Sequence, residues 1–220
     1  CKAYNRWLAD VWKQGAGRLR WVCVLPLLSI PDSIDMLAWC KENGAVAVLF
    51  RPFEGDRLIQ DPYFFPLYEA MTKYDLAMGM HIGNGNPLSL DLTRQRIGYG
   101  QGFWGMSANT AGACHAVIAS KLPELFPQLC FGFVEASASW IPWVFKDIKR
   151  RAEGRKLPDN FFECYRLYVS CYSSTDDIEY IAQYATENTL MTGTDYGHVD
   201  MSVEIDALRS LERNGKVRPG

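Results

Sequence analysis

The chain has 220 residues with a formal net charge of −2, and 48% of its residues are hydrophobic against 22% charged. These values indicate one domain over residues 1–220 and exclude the strongly basic surface typical of nucleic-acid-binding proteins. No apolar run approaches the roughly 18 residues of a membrane span, and the first residues do not resemble a signal peptide, so we expect a cytoplasmic protein without membrane contact.

Six strands are predicted along the chain, because short apolar runs rich in Val, Leu, Phe and Tyr alternate with longer segments of helical periodicity. This alternation is typical of repeated βα units around a parallel sheet and indicates an α/β fold. The predicted strands span residues 19–25, 45–51, 76–82, 129–135, 166–171 and 189–195.

The segments between the strands carry helix signals. Residues 31–40 show apolar positions at helical spacing and lead to Asn43-Gly44, which predicts a helix end there. Residues 61–71 begin with an Asp-Pro start signal, and residues 174–182 begin with a capping sequence. The long connection 83–109 is rich in glycine and aromatic residues, and either a lid over a pocket or an ordered surface or dimer loop would explain it.

Ionisable residues end three of the predicted strands. His81, Glu135 and Asp195 each follow an apolar run, and Arg51 ends a fourth strand in the same way. In parallel βα architectures the chemistry lies at the carboxyl ends of the strands, so these positions indicate one shared metal or acid/base centre. Three structural alternatives stay open: a histidine bonded to a backbone carbonyl, an ion-paired glutamate, and an aspartate that caps a helix.

The seven cysteines have no metal-binding spacing and mostly lie in apolar segments, so we expect reduced, structural thiols. His115 lies on a predicted helix of small residues, where a packed or solvent-facing role is favoured over a catalytic one. The basic run 146–155 is interpreted as a solvated helix end.

Several stretches together resemble the amidohydrolase-related family of metal-dependent (β/α)8 barrels, which includes aminocarboxymuconate-semialdehyde decarboxylase. The stretches are Phe50-Arg51-Pro52, Gly79-Met80-His81, Phe133-Val134-Glu135-Ala136-Ser137 and Gly193-Thr194-Asp195-Tyr196-Gly197-His198. The resemblance implies a TIM-barrel type fold that is incomplete here, with about six βα units. The first two strands, the first-strand metal ligands and the closing helix of the family are not found in this sequence.

The resemblance also implies roles for individual residues. His81 is similar to the metal-binding histidine of the fifth barrel strand, and Asp195 to the last-strand aspartate that contacts the metal and its water. Glu135 falls where decarboxylase relatives have a catalytic histidine, and it could carry protons or bind the metal. A carboxylate cannot act as an imidazolium, so this difference makes decarboxylation less favoured.

Three further residues are candidates for substrate binding. His198 matches the histidine that follows the last-strand aspartate in the family and would shape the pocket or bond to that aspartate. Arg51 could hold a substrate carboxylate through its guanidinium, with an internal ion pair as the alternative. Trp140 could line the mouth of the pocket, although packing between helix and barrel is favoured for the surrounding aromatic residues.

The leading functional expectation is a metal-dependent hydrolase that acts on a small organic substrate bearing a carboxylate, through water activated by a divalent metal, with zinc favoured. One alternative is a metal-dependent decarboxylase of an unsaturated or aromatic acid, and another is an inactive barrel fragment without tight metal binding. A barrel lacking two strands has open edges, so we also expect a homodimer or a larger homo-oligomer that covers them.

Overall fold

The computed structural model describes residues 1–82, 107–198 and 203–215, which form strands and helices in alternation. The strands are β1 Trp21–Cys23, β2 Ala45–Phe50, β3 Phe53–Glu54, β4 Arg57–Leu58, β5 Ala77–Met80, β6 Phe131–Phe133, β7 Leu167–Ser170 and β8 Leu190–Met191. The helices are α1 Lys2–Gln14, α2 Ile30–Glu42, α3 Phe65–Lys73, α4 Ala108–Ala119, α5 Leu122–Leu125, α6 Ile141–Arg151, α7 Phe161–Cys164, α8 Ile178–Ile181 and α9 Ala207–Arg213. Two short 3-10 helices cover Pro62–Phe64 and Glu187–Thr189.

Six strands form one sheet in the order β1-β2-β5-β6-β7-β8, and every neighbouring pair is parallel. Strands β3 and β4 form a separate antiparallel hairpin after β2. The predicted α/β fold with about six βα units is therefore confirmed, as a partial barrel. Because each connection returns the chain to the same end of the sheet, all six carboxyl ends lie along one edge.

The last predicted strand is shorter than expected. Residues 189–195 were expected to be extended, but only Leu190–Met191 pairs with β7, and a 3-10 helix immediately precedes it. Gly193 and the polar residues around it follow the paired strand, and they offer little apolar surface that a continued strand could bury. Asp195 therefore lies in a loop beyond the strand end.

Two predicted helix starts also differ in detail. The capping sequence at 174–182 gives only a short helix, α8, whose N-cap is Asp177; its carboxylate accepts a hydrogen bond from the Tyr180 amide. At 61–71, Asp61 caps the 3-10 helix through the Tyr63 amide, and α3 begins only at Phe65. The helix predicted over 31–40 is confirmed as α2, with Asn43 at its C-cap.

The two faces of the sheet differ in burial. One row runs across five strands through Cys23, Val48, Met78, Phe131 and Leu167, and all five are fully buried beneath the helices. The alternate row contains small or half-buried residues such as Leu49, Gly79 and Gly132. The main core therefore lies between the sheet and the helices, and the other face corresponds to the interior of a barrel.

Asn5 supports strand β1, which is an end strand of the sheet. Its side-chain amide donates to the Val24 carbonyl and its amide oxygen accepts from the Val24 backbone amide, both at 2.9 Å. These two bonds satisfy the amide and the carbonyl of Val24, the residue that follows β1, as a neighbouring strand would. Asn5 is fully buried. Helix α1 is thereby attached to the sheet edge by polar contacts as well as by packing.

All seven cysteines are free thiols, and Cys23, Cys40, Cys114 and Cys171 are buried. Burial, followed by the negative charge of Asp176, raises the pKa of the Cys171 thiol to about 11, so that thiol is protonated at neutral pH. Cys164, expected in an apolar interior, is instead exposed at the end of α7.

None of the described helices combines the length and the hydrophobicity needed to cross a bilayer. Most of the connection predicted as a lid or surface loop, residues 83–106, lies outside the described residues.

Candidate metal centre

Three parallel strands deliver the candidate site residues to one edge of the sheet. His81 directly follows β5, Glu135 follows β6 after one intervening residue, and Asp195 lies in the loop after β8. The His81 amide donates to the Phe50 carbonyl of the neighbouring strand at 2.9 Å, so His81 is still attached to the sheet. The positions of His81 and Glu135 are thus set by the strand ends, and that of Asp195 by the loop after β8.

A close pair joins the first two residues. The Nε2 atom of His81 lies 2.5 Å from the Oε2 atom of Glu135, and the Nδ1 atom of His81 lies 3.4 Å from the Ile82 carbonyl oxygen. The side chain of Glu135 is 16% exposed and that of His81 is 40% exposed. Because an ionised carboxylate only accepts hydrogen bonds, this contact requires a proton on Nε2.

A second cluster includes the same glutamate. One ligand atom each from Glu135, Asp195 and His198 lies within 4.8 Å of the others. His198 Nδ1 is 2.9 Å from Asp195 Oδ2, which matches the expected contact between the last-strand aspartate and the histidine that follows it. Glu135 therefore contacts His81 and also belongs to the Glu135–Asp195–His198 cluster.

The donor set of this cluster suits a divalent metal. Two carboxylates and an imidazole are ligands used by zinc, and ligand atoms about 2.0–2.2 Å from one ion lie roughly 3–4 Å apart. The atoms of the cluster need to move only on the order of 1 Å to reach that arrangement. His81, expected from the sequence as a metal ligand beside Asp195, lies outside this three-residue group among the described residues and contacts Glu135 instead.

The backbone at two of these residues has an unusual conformation. Glu135 has φ 62° and Asp195 has φ 47°, both in the left-handed region that residues with a Cβ atom rarely occupy. Such a conformation costs about 1–2 kcal/mol per residue and persists only where other contacts impose it. Both residues turn sharply as the chain leaves the sheet, and their carboxylates meet in the cluster.

Arg51, the candidate for holding a substrate carboxylate, forms an internal ion pair. Its guanidinium donates to both carboxylate oxygens of Glu54, including Nε to Oε1 at 3.1 Å. The hydrogen bond to Glu54 raises the pKa of the Arg51 guanidinium. Glu54 is buried in the hairpin of β3 and β4, so the pair fastens that hairpin to the end of β2.

A cleft lies beside this ion pair at the same edge of the sheet. It has a volume of about 590 Å3 and is lined by residues that follow β1, by Leu49, and by Arg51 with Glu54. The size is in the range of small-molecule pockets. Its walls are largely apolar, and the ion pair is its charged part.

Trp140 is held in place by local contacts. Its indole nitrogen donates to the Ala136 carbonyl at 3.1 Å, and its ring packs edge-on against Phe133 with the centroids 6.2 Å apart. The half-buried ring thus spans the loop that starts at Glu135. This is the packing alternative for Trp140, and the contact with substrate stays a prediction.

Three residues that the sequence patterns did not single out hold the site loops. The Ser170 hydroxyl accepts the Glu135 backbone amide at 2.8 Å. Asp176 is buried and accepts hydrogen bonds from residues 137–139 of the same loop. Glu204 accepts from the amides of Ser173 and Ser174, and its own amide donates to the Thr194 carbonyl next to Asp195.

A signal for one of these residues was available. Ser170 is a polar residue at the end of an apolar strand, so a filter for any polar residue at a strand end, and not for ionisable residues alone, would have selected it. The other two have no such signal, because Asp176 is part of a predicted helix start and Glu204 is 30 or more residues from Ser173 and Ser174.

His115 lies outside this site. Its Nε2 atom is 2.9 Å from Asp147, a buried carboxylate on α6 that also pairs with Arg150 and Arg151. The hydrogen bonds from Arg150 and Arg151, and then the one from His115, hold the pKa of Asp147 well below its usual range. The basic segment expected as a solvated helix end is therefore partly ion-paired, because a buried acid on the same helix attracts it.

Comparison with known proteins is consistent with this architecture. The amidohydrolase family model matches residues 1–212. The chain superposes on the Metarhizium anisopliae IDCase in apo form with a TM-score of 0.75 and 15% identity, covering 96% of this chain and 62% of that one. No curated protein sequence shows a significant match.

Two further solved structures are similar at the level of the fold. The 5-carboxyvanillate decarboxylase of Sphingomonas paucimobilis has a TM-score of 0.75 and 17% identity, with 94% of this chain and 64% of that chain covered. A dihydroxybenzoic acid decarboxylase of Polaromonas, with bound manganese and an inhibitor, has a TM-score of 0.74 and 19% identity, with 96% and 68% covered. The chain thus covers less than two thirds of the length of the Metarhizium and Sphingomonas proteins. With six parallel βα units and a family match over nearly its whole length, the chain belongs to the amidohydrolase family.

Proposed function

We propose that this chain carries the metal site of a metal-dependent hydrolase that acts on a small organic substrate bearing a carboxylate. The observation that supports it is the cluster of Glu135, Asp195 and His198, with His81 on Glu135, at the carboxyl edge of a parallel sheet. A divalent ion in such a site, with zinc or manganese as the candidates, makes water more acidic and polarises a carbonyl group.

The residues of the chain would then share the remaining tasks. Asp195 and His198 would hold the ion, and Glu135 would complete the ligand set or take a proton from the attacking water. The His81 imidazole donates from Nε2 to Glu135 at 2.5 Å and keeps the carboxylate oriented. The apolar cleft beside Arg51 and Glu54 would bind the organic part of the substrate.

Decarboxylation is the second candidate. Solved structures with the same fold are described as decarboxylases, and one of them carries manganese. A similarity at 17–19% identity shows a shared fold, and a shared fold does not determine the reaction. The carboxylate of Glu135 favours hydrolysis, because it can take a proton from water but cannot act as an imidazolium.

A product assay distinguishes these functions. We expect the chelator-treated protein, reloaded with Zn2+ or Mn2+, to open ester, lactone or amide bonds in a panel of small carboxylic acids without releasing carbon dioxide. Glu135→Gln should lower kcat by about 100-fold or more, the usual scale for loss of a general base. Glu124→Gln is the matched control and should keep full activity. Glu124 lies on α5 and pairs with Arg155.

Three other outcomes would count against the proposal. Carbon dioxide release from the aromatic acids of the panel would assign a decarboxylase. Equal kcat for Glu135→Gln and wild type would remove Glu135 from the chemistry. Absence of both bound metal and turnover would favour a non-catalytic barrel fragment.

A further inference from the structure

The loop that carries Glu135 leaves the sheet in an arrangement that needs external support. The amide of Val134 still donates to the Met80 carbonyl of β5 at 2.8 Å, as in a continuing strand. At the next residue the chain turns into the left-handed region, with φ 62° at Glu135 and φ 59° at Ser137. Neither residue is a glycine, so the backbone energy opposes this turn.

The hydroxyl of Ser170 takes the place of a main-chain acceptor at this turn. Amides of a central strand point alternately to its two neighbours, so the Glu135 amide faces β7, while the ladder between β6 and β7 ends at Phe133 and Val169. The Ser170 Oγ atom accepts the Glu135 amide at 2.8 Å. Because Ser170 is the last residue of β7, its position is set by the sheet and is independent of the loop.

The rest of the loop is held from the same side. Asp176, which follows β7, accepts hydrogen bonds from the Ala138 amide at 2.9 Å and from the hydroxyls of Ser137 and Ser139 at 2.5 Å each. These bonds fix the residues after Glu135 but do not touch Glu135 itself. Among the hydrogen bonds found in the described residues, the one that holds the Glu135 backbone is donated by the Glu135 amide to the Ser170 hydroxyl.

We propose that Ser170 is a positioning residue, which sets the backbone of Glu135 so that the carboxylate lies between His81 and the pair of Asp195 and His198. Without the hydroxyl, the Glu135 amide loses its acceptor and the left-handed turn loses the contact that imposes it. A relaxed backbone would carry the Glu135 side chain away from the imidazole of His81. The part of this inference that concerns metal binding rests on the proposed function, whereas the contact with His81 does not.

The test compares Ser170→Ala with Ser170→Thr, which keeps the hydroxyl acceptor, and with Ser33→Ala. Ser33 is a fully buried serine on α2 whose hydroxyl donates to the Pro26 carbonyl, so it controls for the loss of a buried hydroxyl as such. Nitrogen-15 chemical shifts of the imidazoles, read through the non-exchanging ring protons, report which ring nitrogen is protonated. The chain has three histidines, so three single substitutions assign the spectrum.

In wild type at neutral pH we expect the His81 signal of a ring protonated at Nε2. Ser170→Ala should move it toward the average of the two tautomers, and Ser170→Thr and Ser33→Ala should leave it unchanged. The dissociation constant of Mn2+ should rise roughly tenfold in Ser170→Ala, the scale seen when support of a metal ligand is removed, and recover in Ser170→Thr.

An unchanged His81 signal in a folded Ser170→Ala protein would overturn the proposal, as would a threonine variant that behaves like alanine. If the wild type binds no Mn2+ but the His81 signal still depends on Ser170, the positioning role stands and the proposed metal-dependent function fails. The tautomer readout therefore separates the two claims.

Discussion

Asp195→Asn is expected to remove most of the rise in melting temperature that a divalent cation gives the wild-type protein. At a metal concentration about 100 times the dissociation constant, binding stabilises the folded state by about 2.7 kcal/mol. For a domain of this size that corresponds to roughly 5–10 °C. Asparagine removes one of the two negative charges in the Glu135–Asp195–His198 cluster, and we expect metal affinity to fall on the order of 100-fold. Thermal unfolding with and without Mn2+ measures the effect.

Asp206→Asn is the matched control for this experiment. Asp206 lies before α9, its side chain is largely exposed, and it pairs only distantly with Arg209 at 3.8 Å. The control should keep the full rise in melting temperature. An Asp195→Asn protein that is stabilised by Mn2+ as much as wild type would show that the aspartate does not hold the ion.

Asp176→Ala is expected to give the largest loss of stability, at least about 3 kcal/mol in the free energy of unfolding. The carboxylate is 2% exposed and also accepts the Tyr172 amide at 2.8 Å, in addition to its three bonds from residues 137–139. Alanine would leave two amides and two hydroxyls without this acceptor. Urea unfolding of the apo protein measures the difference.

The neighbouring residue provides the control. Asp177 caps α8 through the Tyr180 amide at 3.1 Å and is exposed, so Asp177→Ala should cost only about 1 kcal/mol. Equal effects of the two substitutions would contradict the view that Asp176 is a buried hydrogen-bonding centre. If Asp176→Ala still folds, its Glu135 loop should also be looser, and the metal-induced rise in melting temperature should be smaller.

The strands could be predicted from the sequence because each strand of a buried parallel sheet is a nearly continuous apolar run. All six predicted strands are present, and each predicted range contains the paired residues. The predicted strands are longer than the observed ones where polar residues flank a short apolar run, most clearly after Met191. Pairing there depends on what the neighbouring strand offers, which local sequence does not contain.

The candidate site was predictable as far as strand ends determine it. His81, Glu135 and Asp195 were selected by position, and the structure brings His81 to Glu135 and Asp195 to Glu135 with His198. An internal ion pair was the alternative for Arg51, and the structure shows that its partner is Glu54. The partners of Asp176 in the Glu135 loop are 37–39 residues away, and Ser173 and Ser174 are 31 and 30 residues from Glu204. Such contacts follow only from the folded chain.

The most direct measurement is a crystal of this protein soaked with Mn2+ and examined for anomalous scattering. We predict one strong peak within about 2.0–2.3 Å of side-chain atoms from Glu135, Asp195 and His198, with the His81 ring still against Glu135. Absence of a peak at the cluster, or a peak bound by His81 while Glu135 points elsewhere, would contradict a metal centre built on the glutamate that follows β6.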